Sequence, residues 1–405
     1  MTPLAAAGLG TLLGCAAGLV PGLHPNALVS LLLAVGGADP VLLVAMAGSH
    51  GMVATLPSTY LGVPGEEGQL GALPAHRMVL EGRGPEAVRV ATSSALGATL
   101  LAVLLLLPFK WLWAQPAAAA RFLPWAVPFV LAAVPLWLAW GERGKGWRAA
   151  AWGVTAFLLA GLLGLLAGRL PSLAWLSAPP SPLGALLSGL FGGAGLLASA
   201  SAGRRLPGQQ APRAPSRRAA WSMAGATSAA VAASAATALV PGATPALVAS
   251  ATPRTRGAAG GLASFSAVGA AQPLFALALL WLTGQARSGL ALGVEAGGPV
   301  QAWTSGRAPT LLLEALAAWL AAAAIGCLVA HALDRPAARW LPRLPQAPLA
   351  WCALAGLVVL AGLGAGWTGL LLFAAGTATG LLPIAAGVRR VHLTGSLLLP
   401  LLLAR

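Results

Sequence analysis

The residues whose types and spacing could bind a ligand lie in one stretch, Leu19-Val20-Pro21-Gly22-Leu23-His24-Pro25-Asn26-Ala27-Leu28-Val29-Ser30, between two apolar runs. Proline removes a backbone donor, clashes with the preceding turn and pushes the residue before it out of the helical region. Pro21 and Pro25 therefore predict a break between two helices, with Pro25 near the first turn of the second. At membrane depth such a break survives only where it is buried in protein or lines a cavity. Its chemistry comes from the freed backbone. The N-terminus of the second helix offers unpaired N–H groups and partial positive charge to an anion, and Asn26 and Ser30 add side-chain donors. Carbonyls freed at Val20 and Pro21 offer oxygen ligands to a coupling cation. His24 titrates near neutral pH, so it is either a proton relay or a hydrogen-bonded core histidine. The same two readings apply to His50 in the following apolar run.

A related stretch begins 220 residues later: Leu239-Val240-Pro241-Gly242-Ala243-Thr244-Pro245-Ala246-Leu247-Val248-Ala249-Ser250. Leu, Val, Pro, Gly, Pro and Ser coincide at six of twelve aligned positions. Hydrophobic segments interrupted by Gly and Pro at corresponding places in two halves are the sequence mark of a transporter's binding site. Pro241, Gly242, Thr244, Pro245 and Ser250 are thus placed with Pro21, Gly22, His24, Pro25, Asn26 and Ser30 as substrate-binding candidates. Val20, Val240, His24 and His50 are the candidates for ion coupling. The alternative is a pair of kinks that matter only for packing.

The elements that hold these breaks must be membrane helices. Only 8% of the residues are charged and 58% are hydrophobic, with a mean hydropathy of +0.82. Soluble domains carry about 25% charged residues. Several uncharged runs reach the roughly 20 residues of a bilayer span, so the fold expected is all-α and polytopic, with about ten to twelve membrane segments. The formal net charge of +15 does not indicate nucleic acid, because the arginines lie scattered in short loops. Cys15, Cys327 and Cys352 sit in apolar runs and form neither a CxxC motif nor a disulfide framework. No basic leader with a small-residue cleavage site precedes Leu4, so Leu4 to Val20 reads as an uncleaved first span.

Residues 203 to 218 hold five arginines, three prolines and no acid. The positive-inside rule places this linker in the cytoplasm. It divides the chain into a first transmembrane repeat over 1–202, the linker over 203–218, and a second repeat over 219–405. Counting spans backwards puts the loops at 141–146 and 62–86 on the same side. Spans are predicted from Val41 to Leu61, Ala87 to Leu107, Pro124 to Trp140, Trp147 to Ala167, Pro182 to Ala200, Ala219 to Val240, Gly260 to Thr283, Thr310 to Ala332 and Pro348 to Gly364. Pro108 to Pro124 and Gly284 to Ala308 read as connecting loops, and Ser396 to Ala404 as part of a broken helix. Glu66, Glu67, His76 and Arg77 read as a salt-bridged loop, His331 and His392 as interfacial. Glu314 falls early in an apolar span, where a carboxylate needs a partner or the interface.

Four segments carry a family resemblance. They are Pro21-Gly22-Leu23-His24-Pro25-Asn26; Leu61-Gly62-Val63-Pro64-Gly65-Glu66 with Leu73-Pro74-Ala75-His76-Arg77 and Glu81-Gly82-Arg83-Gly84; Gly189-Leu190-Phe191-Gly192; and Gly387-Val388-Arg389-Arg390-Val391-His392-Leu393. Together they resemble the membrane permease of the tripartite tricarboxylate transporters, the TctA family, in its archaeal-type branch. The second repeat departs from the first, with Ala243-Thr244 and Ala246 in place of Leu23-His24 and Asn26. The resemblance implies a secondary transporter in the plasma membrane that moves di- or tricarboxylates on a sodium or proton gradient. It also implies, in bacterial members, a small membrane subunit and an extracytoplasmic binding protein, partners that archaeal-type members are expected to dispense with. It implies no cofactor and no catalytic residue, and leaves a homo-oligomer open.

Two other classes compete. An intramembrane metalloprotease would need HExxH and a serine hydrolase GxSxG, and the chain contains neither; a glycerolipid transferase would need an acid and base pair near the interface, which only the His76 region could supply. A membrane subunit of another transport complex would need an energising partner. The substrate is expected between the two Pro-Gly-x-x-Pro breaks, a site that inverted repeats would fit, although the span count does not fix their parity.

Overall fold

With no water to bond it, a backbone in lipid must satisfy its own N–H and C=O groups, and a helix does this within one segment. In the computed structural model every regular element among the described residues is helical. Those residues are 1–21, 23–34, 39–61, 72–113, 116–171, 182–202, 206–238, 240, 244–251, 257–286, 288–304 and 306–403. Among the described residues seven helical stretches are long and apolar enough to cross a membrane.

The first half opens with α1 (Pro3–Gly18) and α2 (Pro25–Ala34), followed by α3 (Pro40–Val53) and α4 (Thr55–Leu61). The Asp39 carboxylate caps α3 by accepting from the Val41 and Leu42 N–H groups. Then come α5 (Ala72–Leu80), α6 (Gly84–Leu104), α7 (Leu106–Trp113), α8 (Pro116–Trp140) and α9 (Trp147–Arg169). α10 (Pro182–Leu187) passes through a π-helical turn, Ser188–Gly193, into α11 (Ala194–Ala202). The second half contains α12 (Arg217–Thr237), α13 (Pro245–Ala251), α14 (Ala258–Thr283), α15 (Gly289–Ala296), α16 (Thr310–Trp340) and α17 (Gln346–Ala385). A 3-10 turn, Arg390–Thr394, leads into α18 (Gly395–Leu403).

Small residues set the packing, as expected where lipid removes the hydrophobic drive between helices. Gly10, Gly14 and Gly18 of α1 lie against Leu42, Met46 and His50 of α3 so closely that a side chain would strike backbone. The two helices therefore run parallel. The Ser49 hydroxyl ties them, donating to the Thr11 carbonyl at 3.0 Å. α16 is also parallel to α3, with Gly48 against Trp319, Gly326 against Ser49 and the Tyr60 hydroxyl 2.9 Å from Asp334. α6 runs the other way, its Thr92 hydroxyl 2.8 Å from Nε2 of His331.

One end of the molecule is fixed by the linker. Gln209 accepts from the Gly84 N–H at 2.8 Å, and the Gln210 N–H donates to the Gly82 carbonyl at 2.8 Å. Ala226 of α12 and Leu262 and Ala263 of α14 share a cluster with Ala87 and Ala91 of α6, so all three helices start at that linker end. α12 leaves it and α14 starts from it again, so the chain between them returns. α1 and α2 double back from the opposite end. Leu23 is level with His50, whereas Val29 has come back to Leu43.

Several boundaries differ from the sequence expectation. Pro108 to Pro124 is largely helical, because α8 starts at Pro116 and absorbs Pro124 and Pro128. Prolines are tolerated within membrane helices where neighbours satisfy the freed groups. Gly284 to Ala308 contains α15, capped by the Ser288 hydroxyl on the Ala291 N–H. The span predicted from Pro348 to Gly364 does end there, because the backbone leaves the helix at Gly366 (φ 62°), a left-handed conformation that glycine adopts without penalty, and a second helix runs on to Ala385. Gly369 then packs back against Ala361.

Candidate functional site

At the first break α1 closes with the Leu19 and Val20 N–H groups bonded to the Ala16 and Ala17 carbonyls. Pro21 follows, half-buried; Gly22 lies outside the described residues. The Val20 carbonyl accepts from the Leu23 N–H at 3.3 Å, so it retains an unused lone pair but is not wholly free. His24 is buried and takes the capping role at α2. Its Nδ1 accepts from the Asn26 N–H at 3.1 Å, and its carbonyl from the Leu28 N–H. His50 Nε2 lies 3.0 Å from the Leu23 carbonyl, which makes that nitrogen the donor. The two histidines thus both hold the break. The Ser30 hydroxyl donates to the Asn26 carbonyl at 3.1 Å, one turn back in its own helix. Asn26 packs against Gly289 of α15 with no room for a side chain there.

The second break reproduces this logic with other residues. The Val240 N–H bonds to the Thr237 carbonyl at 2.9 Å. Pro241 and Gly242 lie outside the described residues. Thr244, which aligns with His24, caps α13: its hydroxyl accepts from the Leu247 N–H at 3.3 Å and its carbonyl from the Val248 N–H at 3.0 Å. Pro245 is the first helical residue, and the Ser250 hydroxyl donates to the Leu247 carbonyl at 2.7 Å. Val29 of α2 and Val248 of α13 are buried in one apolar core with Phe275 and Trp281. Both returning helices therefore enter the same interior.

A cluster of charges that sequence reasoning passed over stands beside the second break. Glu142, in the turn between α8 and α9, is fully buried. Its Oε1 accepts from the Arg389 Nε at 2.6 Å and from the Arg389 N–H at 3.2 Å, while Oε2 lies 3.0 Å from the Lys145 Nζ. Burial alone would push this carboxyl up, but the hydrogen bonds from Arg389 and Lys145 outweigh it and hold the group at about 2. Arg389 also donates to the Leu138 carbonyl, and Lys145 to the Gly387 carbonyl. His392 is buried, with Nε2 3.6 Å from Glu142 and Gly153 of α9 pressed on its ring. The cause is local: a turn from Gly387 to Thr394 folds inward on α9, with Gly153 against His392 and Gly395 against Phe157, which hydropathy does not register. Val391 of this turn packs with Leu247 of α13 and Leu138. Val240 packs near Leu398 of α18.

The other predicted polar residues lie elsewhere. His76, Arg77, Glu81 and Arg83 line an open cleft of about 830 Å³ at the linker end. There Arg83 pairs with Glu86 at 2.6 Å and Glu81 at 3.2 Å, and Arg77 with Glu81 at 3.4 Å. Glu66 and Glu67 lie outside the described residues. Glu314 is half-buried in the second turn of α16, and His331 is exposed beside Thr92. No group of three metal-ligating side chains occurs among the described residues.

The sequence pattern of the family described as "Tripartite tricarboxylate transporter TctA family" matches residues 4–395. An uncharacterized protein of Methanocaldococcus jannaschii is 31% identical over 163 residues, 39% of this chain and 40% of the relative. The chain thus aligns with well under two thirds of that relative's length. No solved structure matches.

Proposed function

Because the chain belongs to the tripartite tricarboxylate transporter TctA family, we propose that it is the membrane permease of a secondary transporter for di- or tricarboxylates, driven by a sodium or proton gradient. The observation that carries this reading is the pair of related breaks inside an apolar helical body, reached by α1 and α12 from opposite ends. Such breaks supply what an anion and its co-ion need at depth: helix N-termini for carboxylates, and spare carbonyl lone pairs for a cation. Opposite entry fits two inverted repeats over 1–202 and 219–405, with the linker in the cytoplasm of a plasma-membrane protein.

At the first break the substrate contacts are Pro21, Gly22, His24, Pro25, Asn26 and Ser30. At the second they are Pro241, Gly242, Thr244, Pro245 and Ser250. Val20 and Val240 contribute carbonyls, and His24 and His50 are the groups through which a proton gradient would act. A small membrane subunit and an extracytoplasmic binding protein are the partners expected from the family.

The test is uptake of radiolabelled citrate, malate and succinate by the purified protein in proteoliposomes, under imposed sodium or proton gradients. Gradient-dependent uptake without partners supports a stand-alone carrier. Uptake that starts only when a binding protein is added supports the tripartite form. No accumulation of any carboxylate under either condition, in vesicles holding folded protein, would refute the reading.

A further inference from the structure

A guanidinium taken out of water needs a counter-charge or a full set of acceptors. Arg389 has both, in Glu142 and the Leu138 carbonyl. Arg390, the next residue, has no carboxylate among the described residues. One amino group, Nη2, donates to the Leu190 carbonyl at 3.1 Å and the Phe191 carbonyl at 2.6 Å. Among the described residues Nε is buried with no partner, and the two hydrogen bonds of the guanidinium both come from Nη2. The two carbonyls belong to the π-helical turn Ser188–Gly193, an irregularity common at functional positions. They grip the guanidinium by one corner and leave the rest of its fork unspent. Val391 packs against Leu247, so the turn that carries Arg390 adjoins the helix that follows the second break.

We propose that Arg390 binds a carboxylate of the transported anion through the donors that Leu190 and Phe191 leave unused. The assignment rests on the carboxylate reading above and adds to it a fixed cation that neither Pro-Gly-x-x-Pro motif contains. Planar forks recognise carboxylates in a way a lysine ammonium cannot reproduce. The competing role is purely architectural, a staple on the π turn, and the two roles separate kinetically. A staple governs folding and turnover, whereas a ligand contact governs affinity.

The experiment uses the full chain in proteoliposomes with radiolabelled citrate, and melting of the detergent-purified protein with and without citrate. Arg390→Lys is expected to raise the KM for citrate about ten- to a hundredfold, the loss of one charge-assisted hydrogen-bond set, with Vmax changed much less. Arg390→Gln is expected to melt cooperatively without citrate and to lose the upward shift that citrate gives the wild type. If Arg390→Gln does not fold, the KM of Arg390→Lys decides. A wild-type KM in Arg390→Lys, whatever its Vmax, overturns the assignment and leaves the carboxylate reading standing. A wild-type protein that neither takes up nor is stabilised by citrate, malate or succinate overturns both.

Discussion

Replacing Glu142 with glutamine tests whether one buried carboxylate holds the turn Gly387–Thr394 in place. The substitution keeps the side chain's shape and removes its charge, leaving Arg389 facing a neutral amide. Lys145 is half-exposed, so its contribution is screened and small. The Arg389 pair is the one that counts, because the carboxylate is fully buried and the arginine nearly so. Removing one partner of a buried pair costs about 3 to 5 kcal/mol. The proton equilibrium gives an independent figure. A carboxyl held at about 2 in the fold, against an ordinary 4.5, contributes about 3 kcal/mol. Since the folded value is the lower one, this stability is fully present above about pH 4.5 and drains away as the pH falls through about 2. Equilibrium unfolding in detergent micelles should therefore separate Glu142→Gln from wild type by about 3 kcal/mol at pH 7, and by less than about half of that at pH 3. The double variant Glu142→Gln with Arg389→Met should recover part of the loss, since it no longer strands a cation. A gap under about 1 kcal/mol at pH 7, or one that stays the same at pH 3, would show that the pair does not hold the turn.

Pro21→Ala combined with Pro241→Ala should abolish gradient-driven citrate uptake while the protein still inserts and purifies normally; unimpaired uptake would remove the breaks from the site. Gly164→Leu should destabilise α18 by about 3 kcal/mol or more, because its side chain would collide with the Ser396 backbone; a melting temperature equal to wild type would contradict that close approach. Gln209→Ala removes the acceptor of the Gly84 N–H and the donor to Val79. It should speed tryptic cleavage at Arg213 severalfold with little change in global melting, measured by timed digestion.

The helical, membrane-embedded character was legible because lipid leaves so few options: long uncharged runs with glycine at close spacing have one stable conformation. The breaks were legible for the opposite reason, since proline and glycine act locally and need no neighbour to take effect. What escaped was whatever depends on a partner distant in sequence. Glu142 looked like a surface loop residue because Arg389, the partner of its buried carboxylate, comes from the far terminus. Nothing local announces that Gly387–Thr394 folds in on Gly153 and buries His392. The length of α8 was missed for another reason: its prolines read as boundaries, although a membrane helix can absorb them. Within the breaks the residue types were visible and their partners were not. That Thr244 and His24 occupy equivalent capping positions is legible once the two stretches are aligned.

These capping positions also constrain how the two breaks can differ. At the first, the cap is an imidazole whose Nδ1 must stay unprotonated to accept the Asn26 N–H; protonating it would cost α2 its cap. At the second, the cap is a hydroxyl that accepts the Leu247 N–H at any physiological pH. The two stretches therefore share a backbone plan but not a response to protons. If a proton gradient drives uptake, His24→Asn, which keeps a capping acceptor but replaces one of the proposed substrate contacts, should still bind substrate, with lower affinity, and should no longer couple binding to pH. Malate affinity, measured between about pH 6.5 and 8 where its carboxyls are already ionised, would then be flat in the variant and sloped in the wild type. A slope that persists in the variant would place the coupling proton elsewhere, with His50, which holds the Leu23 carbonyl at 3.0 Å, as the next group to replace.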